Sequence, residues 1–267
     1  MNTAITTAIG TANGTAIGTA SGTASGTASG TASGTASGTA SGTAIGTAID
    51  GLADAGFDLV HAFDAAVAAR EPGWEILSHD TLRVGLLVCN TRALWPTFVA
   101  AMRDPALAAE SDPLDRYTER TIEVAFPGAP IYFGHREYGG LASSHGRGSA
   151  PPQEGGGFLP FTRLAVATGL GALAASHLVI HPIYGPWLAL RAVILVAGDP
   201  PVTAPIRSSP CACGPACGAA LTTSLGSTSW EDWLAVRDAC RLRAWRYSDE
   251  QIRYHYTKEW IPPVETP

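Results

Sequence analysis

A four-residue repeat at the start of the chain constrains its fold more than any other feature. From Gly10 to Ile49 the units G-T-A-S and G-T-A-I recur, so that glycine stands at every fourth position from 10 to 46. Each glycine costs a helix about 1 kcal/mol relative to alanine, and the repeat offers a strand no continuous apolar face. The repeat therefore predicts a disordered tail over residues 1–52 and one folded domain over residues 53–267. A short-period β-solenoid with a threonine face is the alternative.

Charge and hydropathy argue against two classes of partner. The net charge is −6, and no run of Lys or Arg exceeds two, so we predict no nucleic-acid partner. The most apolar stretch, 188–197, contains Arg191 and is shorter than the roughly 18 to 20 apolar residues that span a bilayer, so no membrane partner is predicted. The absence of Lys or Arg before Arg70 argues against a secretory signal and predicts a cytoplasmic protein.

The cysteines do not form the pattern of a secreted disulfide framework. The chain has five, an odd count, and three of them follow the spacing C-x-C-x3-C at Cys211, Cys213 and Cys217. A fourth ligand from Cys240 or a histidine would complete a tetrahedral zinc site. Inert loop cysteines are the alternative, and we assign no metal ligand from the sequence.

Periodicity places helices and strands along the domain. The apolar spacing of 59–69 predicts a helix that Pro72 blocks from continuing. Further helices are predicted over 94–102, 115–125, 164–175, 229–243 and 249–260, strands over 81–88, near 131, and over 178–180 and 188–196, and a long loop over 134–157. This alternation predicts an α/β (α+β) fold with one central mixed sheet flanked by helices.

The most informative stretch is residues 163–195, which contains L-V-I-H-P-I-Y-G-P-W-L-A-L-R. Pro182 and Pro186 frame a rigid turn ahead of a buried strand. The run resembles the CblC-type (MMACHC-like) cobalamin-processing family, in which a similar I-H-P-aromatic-Gly stretch leads a strand beside the corrin pocket. The resemblance implies a nitroreductase-like flavin-reductase fold.

The resemblance extends over about 200 residues. Motifs of the same family are matched in order by G-F-D-L at 56–59, F-D-A-A at 63–66, S-D-P-L-D at 111–115, W-E-D-W at 230–233, R-D-A at 237–239 and R-Y-S-D-E-Q at 246–251. The run L-A-V-A-T-G-L-G is also similar to epoxyqueuosine reductases, which hold two iron–sulfur clusters with eight cysteines. Here a single cluster of three, Cys211, Cys213 and Cys217, follows in C-A-C-G-P-A-C, which favours the cobalamin-processing family.

The resemblance implies a cobalamin site, in which the cofactor is bound with its lower base displaced from cobalt. The implied corrin-binding residues are Leu164, Ala165, Val166, Val179, Ile180 and Leu190. A corrin needs such an apolar floor, with backbone donors at its rim. For His181, ligation of cobalt and a bond to nearby backbone are the two alternatives.

Arg191 and Arg237 match family arginines associated with glutathione, and the resemblance implies them as the catalytic pair. Their planar forks suit the two carboxylates of glutathione. An ion pair with a core carboxylate is the alternative for Arg191, and a solvated helix position is the alternative for Arg237.

Three functions remain open at this point. The first is an enzyme that removes the upper ligand of cobalamin, a cyanocobalamin reductase (cyanide-eliminating) and dealkylase-like oxidoreductase, with reduced FMN or FAD or another external reductant for decyanation and glutathione as cosubstrate for dealkylation. The second is a cobalamin chaperone without turnover, and the third is a flavin-dependent nitroreductase-type enzyme. Assembly as a homodimer is left open.

Overall fold

The computed structural model describes residues 31–139, 157–211 and 214–260. Its helices are α1 (Thr31–Asp54), α2 (Ala65–Ala68), α3 (Leu94–Ala101), α4 (Pro105–Ala108), α5 (Pro113–Ala125), α6 (Phe161–Ala167), α7 (Pro215–Leu225), α8 (Trp230–Asp238) and α9 (Asp249–Thr257). Its strands are β1 (Leu59–Asp64), β2 (Val84–Asn90), β3 (Ile131–Phe133), β4 (Glu137–Tyr138), β5 (Gly157–Phe158), β6 (Ala172–Leu173), β7 (Val179–Ile180) and β8 (Ala189–Val196). Predicted features at residues 1–30, at 140–156 and at Cys213 lie outside the described residues.

A four-stranded sheet in the order β1-β2-β8-β3 forms the centre of the fold. Its two inner strands are nearly continuous apolar runs, because both of their faces are covered. One face packs on α1, α3 and α5, and the other packs on α2 and α6; we call these the first and the second core. The predicted α+β class with one central sheet is confirmed.

The sheet differs from the prediction in the direction of its strands. All three of its pairings are antiparallel, whereas a mixed sheet was predicted. The prediction rested on alternating helices and strands, which usually signal parallel crossovers. Here only the four-residue helix α2 and a short 3-10 helix, Glu75–Leu77, lie between β1 and β2, so the connection allows an antiparallel pair.

The segment 59–69 is not the single helix that its apolar spacing predicted. Residues Leu59–Asp64 form β1 at the edge of the sheet, with Leu59 opposite Cys89. The helix α2 begins only after Asp64, whose side chain accepts a hydrogen bond from the Ala66 amide at 2.9 Å. Pairing with the buried strand β2 therefore overrides the helical spacing.

Two further elements differ from prediction. The helix predicted over 164–175 ends at Ala167, where the amide of Leu170 donates to the carbonyl of Ala165 at 2.9 Å and closes the helix. The chain then forms the two-stranded sheet of β6 and β7. Helix α7 was not predicted, because its small and polar residues show no apolar period.

Helix α1 crosses the predicted boundary between tail and domain. Ile49 and Leu52 are only 1% and 0% exposed and pack in the first core against Leu94 and Phe98. In the last two units of the repeat, Ile45 and Ile49 stand where the preceding units have serine. These isoleucines give the end of α1 an apolar face, which the serine-containing units do not offer. The folded domain therefore starts before residue 53, at the latest near Ile45.

Leu52→Ala is expected to lower the free energy of unfolding by about 2–5 kcal/mol, because it removes a buried side chain from the first core. Urea unfolding measures the change, and Val124→Ala on α5 is the control, since Val124 is 81% exposed. A loss within about 0.5 kcal/mol for Leu52→Ala would mean that α1 lies outside the cooperative core.

Within the described residues, no helix is long and apolar enough to cross a membrane.

Candidate functional site

A β-bulge in the central strand pair sets the direction of Arg191. Strands β2 and β8 pair one to one as far as Val88 and Ala192, but the next pair is Cys89 and Leu190. Arg191 is therefore the extra residue, and an extra residue bends its strand and redirects its side chain. Leu190 stays against the second core, while the Arg191 side chain reaches toward helix α5.

Arg191 is held by one side of its guanidinium. Its Nε donates to Oδ1 of the fully buried Asn90 at 2.7 Å, and Asn90 is fixed in turn because its Nδ2 donates to the carbonyl of Thr91 at 2.9 Å. Arg191 Nη1 lies 3.9 Å from Asp115 Oδ1, which is a weak contact. Arg191 Nη2 is buried and has no hydrogen-bond partner among the described residues. One face of the guanidinium thus remains available to an anion.

Polar and aromatic side chains gather between the bulge and the two C-terminal helices. The guanidinium of Arg237 lies 5.6 Å from the Trp187 ring, which packs at 5.6 Å on Tyr247. Tyr247 in turn contacts His255 at 5.4 Å between ring centroids. We call this group the polar layer, and it consists of Asn90, Trp187, Arg191, Arg237, Tyr247, Gln251 and His255.

The polar layer contains several buried polar atoms that no described residue satisfies. They are Trp187 Nε1, Arg191 Nη2, Tyr247 Oη and both amide atoms of Gln251. Buried polar atoms in proteins are nearly always hydrogen-bonded, to protein, to water or to a ligand. Indole and guanidinium groups only donate, and a primary amide both donates and accepts. The layer therefore suits a ligand that carries anionic acceptors and an amide.

The electrostatics of the layer favour an anion as well. Burial raises the pKa of Tyr247 to about 12, although Arg237 and Arg191 oppose the rise. Burial also lowers the pKa of His255 well below its usual value, and Arg191, Arg237 and Lys258 lower it further. At neutral pH the phenol is protonated and the imidazole is neutral. Arg246 also lies over the Trp187 ring, at 5.7 Å, but it is paired with Asp238 and Asp249. The charge that the layer presents is therefore that of Arg191 and Arg237.

A carboxylate network on α5 borders the layer. His135 Nε2 lies 2.9 Å from Glu119 Oε1, and its Nδ1 lies 3.6 Å from Asp115. Arg136 also contacts Glu119 at 2.7 Å. Burial opposes the ionisation of Glu119, but hydrogen bonds from Arg136 and His135 outweigh it and lower the pKa of Glu119 to about 2. Burial raises the pKa of Asp115, against the attraction of His135 and Arg191.

The residues predicted to bind a corrin lie together, but most are not accessible. Those in the second core or packed against it are Leu164, Ala165, Val179 and Leu190. Leu164 and Ala165 are 0% exposed, and Val179 and Ile180 are also buried. Val166 and Leu190 are half-buried and are the two that a ligand could touch without displacing the core.

His181 makes the backbone bonds that were one of its two predicted roles. Its Nδ1 accepts from the amides of Ile183 and Tyr184 at 3.1 and 3.2 Å. The acceptor role leaves the proton on Nε2, so neither nitrogen offers a free lone pair to a metal. Burial, and then the charge of His61, lowers the pKa of His181 to about 4.

Comparison with solved structures gives a likeness of fold. The chain is similar to a B12-trafficking protein. This is the CblC protein of Caenorhabditis elegans, a homologue of human MMACHC, with 17% identity, a TM-score of 0.48, and coverage of 81% of this chain and 92% of that chain. That CblC protein is a member of the family whose motifs this sequence resembles. No family model matches the chain, and no curated protein matches it.

The cysteine segment does not form a metal centre in the part of the chain that the structure describes. Cys211 is disulfide-bonded, and the thiols of Cys89, Cys217 and Cys240 are free. A disulfide sulfur is not the thiolate that zinc requires. No group of three or more His, Cys, Asp or Glu side chains that could hold a metal ion occurs among the described residues.

Several members of the polar layer were not predicted as site residues. Tyr247 and Gln251 lie in the R-Y-S-D-E-Q motif, and Trp187 lies in the I-H-P-I-Y-G-P-W run, so motif membership was the available signal. Asn90 and His255 carry no such signal, because only the bulge in β8 and the packing of α9 bring them to Arg191.

Acid is expected to destabilise the fold through His181. Its pKa is about 6.5 in an unfolded chain and about 4 in the folded protein, so the unfolded state binds more protons between these values. Stability should therefore fall as the pH drops from about 6.5 to about 4, by roughly 1–3 kcal/mol for this group after allowance for its partial exposure.

Urea unfolding at pH 7, 6 and 5 measures the effect, with His181→Asn as the matched variant. Asparagine keeps an acceptor for the two amides and does not titrate. We expect a shallower pH dependence in the variant, and equal slopes would exclude His181 as a source of the acid sensitivity.

Proposed function

We propose that the chain binds cobalamin with its lower base displaced and removes the upper axial ligand, with an external reductant for cyanide and with an anionic thiol held in the polar layer for an alkyl group. Two lines support this proposal. Ordered family motifs run through the domain, and one of them ends at Arg191, the bulge residue of β8. The second line is the chemistry of the polar layer itself.

The observation that carries the thiol part is the set of buried, unsatisfied polar atoms beside two guanidinium groups. Glutathione carries two carboxylates, two peptide bonds and one thiol. Its carboxylates match Arg191 and Arg237, and its peptide groups match the amide of Gln251 and the phenol of Tyr247. The residues present therefore fit this class of cosubstrate.

The corrin would lie on the second-core side of β8. Leu190 projects to that side and Arg191 to the other, so the bulge separates an apolar surface from the polar layer by one residue. We assign direct corrin contact to Leu190 and Val166, which are half-buried. Leu164, Ala165, Val179 and Ile180 would support that surface from below, because they are buried.

Dealkylation needs a nucleophilic sulfur at the upper face of the substrate. The thiolate attacks the alkyl carbon, a carbon–sulfur bond forms, and the cobalt–carbon bond breaks with its electron pair left on cobalt. The products are a thioether and cob(I)alamin. The part of this chain is to bind the two carboxylates and thereby fix where the sulfur lies.

Decyanation needs an electron instead of a nucleophile. One electron from an external donor, such as reduced FMN or FAD, reduces cobalt(III) to cobalt(II), and cyanide leaves as an anion with the bonding pair. We assign no residue to the donor. Base-off binding makes this step easier. Cobalt(II) holds fewer axial ligands than cobalt(III), and the lower base has already been displaced before the reduction.

The proposal is tested by product analysis with purified full-length protein. Cyanocobalamin with a reduced flavin should release cyanide, and methylcobalamin with glutathione should yield S-methylglutathione together with cob(I)alamin. Arg237→Met should suppress the thioether reaction and spare cyanide release. A base-off spectrum without either product would support a cobalamin chaperone, and bound flavin with no response to cobalamin would support a nitroreductase-type enzyme.

A further inference from the structure

His255 lies at the edge of the polar layer, in the last turn of α9. It follows Gln251 by one turn, so both side chains lie on the same face of the helix. Its ring is tilted by 31° from that of Tyr247, at 5.4 Å between centroids. Its imidazole makes no hydrogen bond within the described ranges, unlike His61, His79, His135 and His181.

Cationic groups from three elements surround this imidazole. The charges of Arg191 on β8, Arg237 on α8 and Lys258, just after α9, all lower the pKa of His255. Arg237 is linked to the ring by contacts, since it lies over Trp187, Trp187 packs on Tyr247, and Tyr247 packs on His255. Lys258 is already paired with Asp112 at 2.7 Å, whereas Arg191 has only its weak 3.9 Å contact with Asp115. The two arginines are therefore the cations whose charge a ligand would neutralise.

The remaining titratable groups near the layer do not supply that neutralisation. Tyr247 is protonated at neutral pH, and burial also keeps the thiol of Cys89 protonated by raising its pKa. Asp58 accepts hydrogen bonds from the amide and hydroxyl of Thr91 at 2.8 and 2.5 Å. A carboxylate entering between the arginines would thus be the main new negative charge near His255.

We propose that His255 takes up a proton when a dicarboxylate ligand binds between Arg191 and Arg237. This rests on the proposed function, because it requires an anionic ligand in the polar layer. The ligand carboxylates cancel the repulsion from the two guanidinium groups and offer an acceptor to the protonated ring. The occupied site then holds three cationic groups, which favours a ligand with two carboxylates over one with a single carboxylate.

The linkage has a definite sign. The proton affinity of His255 is higher in the complex than in the free protein, so the ligand binds more tightly as the pH falls. The gain is at most about tenfold in affinity per pH unit, and it occurs between the pKa values of the bound and the free protein. Below about pH 4 protonation of the ligand carboxylates reverses the trend.

Calorimetric titration of the full-length protein with S-methylglutathione tests the proposal. This probe keeps both carboxylates of glutathione and has no thiol proton to contribute. Titrations at pH 6.0–7.5 in two buffers of different ionisation enthalpy give the number of protons taken up on binding. We expect uptake of a fraction of one proton that rises as the pH falls.

His255→Gln and His255→Phe are expected to lose both the proton uptake and the pH dependence of affinity, so that their binding at pH 6.0 falls to about the affinity seen at pH 7.5. His79→Gln, an exposed histidine outside the layer, is the control and should behave as the wild type. Circular dichroism verifies that each variant is folded, and the Hε1 resonance of His255 in the wild-type protein should move toward the imidazolium position on binding.

Binding with the same proton uptake in both His255 variants, or a wild-type Hε1 resonance unmoved by saturating ligand, would overturn the inference while leaving the proposed function intact. Failure of the wild-type protein to bind the probe would instead overturn the thiol part of the proposed function, and the inference with it.

Discussion

Arg191→Met is expected to weaken glutathione binding by about 30-fold to several thousand-fold, the equivalent of about 2–5 kcal/mol for a buried charged contact. The substitution removes a guanidinium whose Nη2 is buried and has no partner in the described part of the chain. It also leaves the buried Oδ1 of Asn90 without its donor, which should cost about 1–3 kcal/mol of folding stability. Calorimetry for binding and urea unfolding for stability measure the two effects separately.

Arg116→Met on helix α5 is the matched control for this substitution. Its side chain is 44% exposed and its ion pairs with Glu110 and Glu119 are long, at 3.6 and 3.5 Å, so its loss should change affinity by less than about twofold. Base-off cobalamin binding should survive in both variants. If Arg191→Met binds glutathione with unchanged affinity, the polar layer is not the thiol site.

Gly185→Ala is expected to destabilise the protein by at least about 3 kcal/mol, or to prevent folding. Gly185 has a φ of +58°, a conformation that costs most other residues about 1–2 kcal/mol. An added Cβ would also overlap the carbonyl oxygen of Leu242, so the backbone that follows α8 would have to move. Strain and overpacking each contribute about 1–3 kcal/mol.

Gly128→Ala separates the two contributions. Gly128 also has a positive φ, of +76°, but an added Cβ would meet no atom within 4 Å. This control should therefore lose only the conformational part, about 1–2 kcal/mol. Thermal and urea unfolding of both variants measure the difference, and equal losses would mean that contact with Leu242 has no role in fixing the turn His181–Gly185.

The central strands were predictable because their signal is local. Residues of β2 and β8 are apolar runs of strand length, and the Asp-Pro start of α5 is a strong helix signal. The strand β1 was not predictable in the same way, because L-V-H-A-F-D followed by A-A-V-A fits a helical period equally well. Only the neighbouring strand decides between the two.

The candidate site was predictable in part for a related reason. Arg191 and Arg237 lie in motifs, but their relation to each other depends on a bulge in β8 and on the packing of α8 against Trp187. Periodicity carries no information on a bulge, since one extra residue leaves the apolar pattern almost unchanged. For the same reason Asn90 could not be linked to Arg191 from the sequence.

The predicted corrin residues show what motif membership alone leaves open. Leu164 and Ala165 were assigned to ligand contact because of the motif they belong to, yet their burial in the second core shows that they contribute to packing. An apolar residue in a functional motif can support the surface that binds a ligand without itself touching it. Exposure, which only the folded structure provides, distinguishes the two roles.

An absorbance titration of cyanocobalamin with the purified full-length protein tests the central claim most directly. Displacement of the lower base changes the visible spectrum, so binding is read without any assumption about turnover. We predict a shift to the base-off spectrum that saturates at one cobalamin per chain, for the wild type and for Arg191→Met alike. A spectrum that stays base-on at micromolar concentrations of protein and cobalamin would contradict the account.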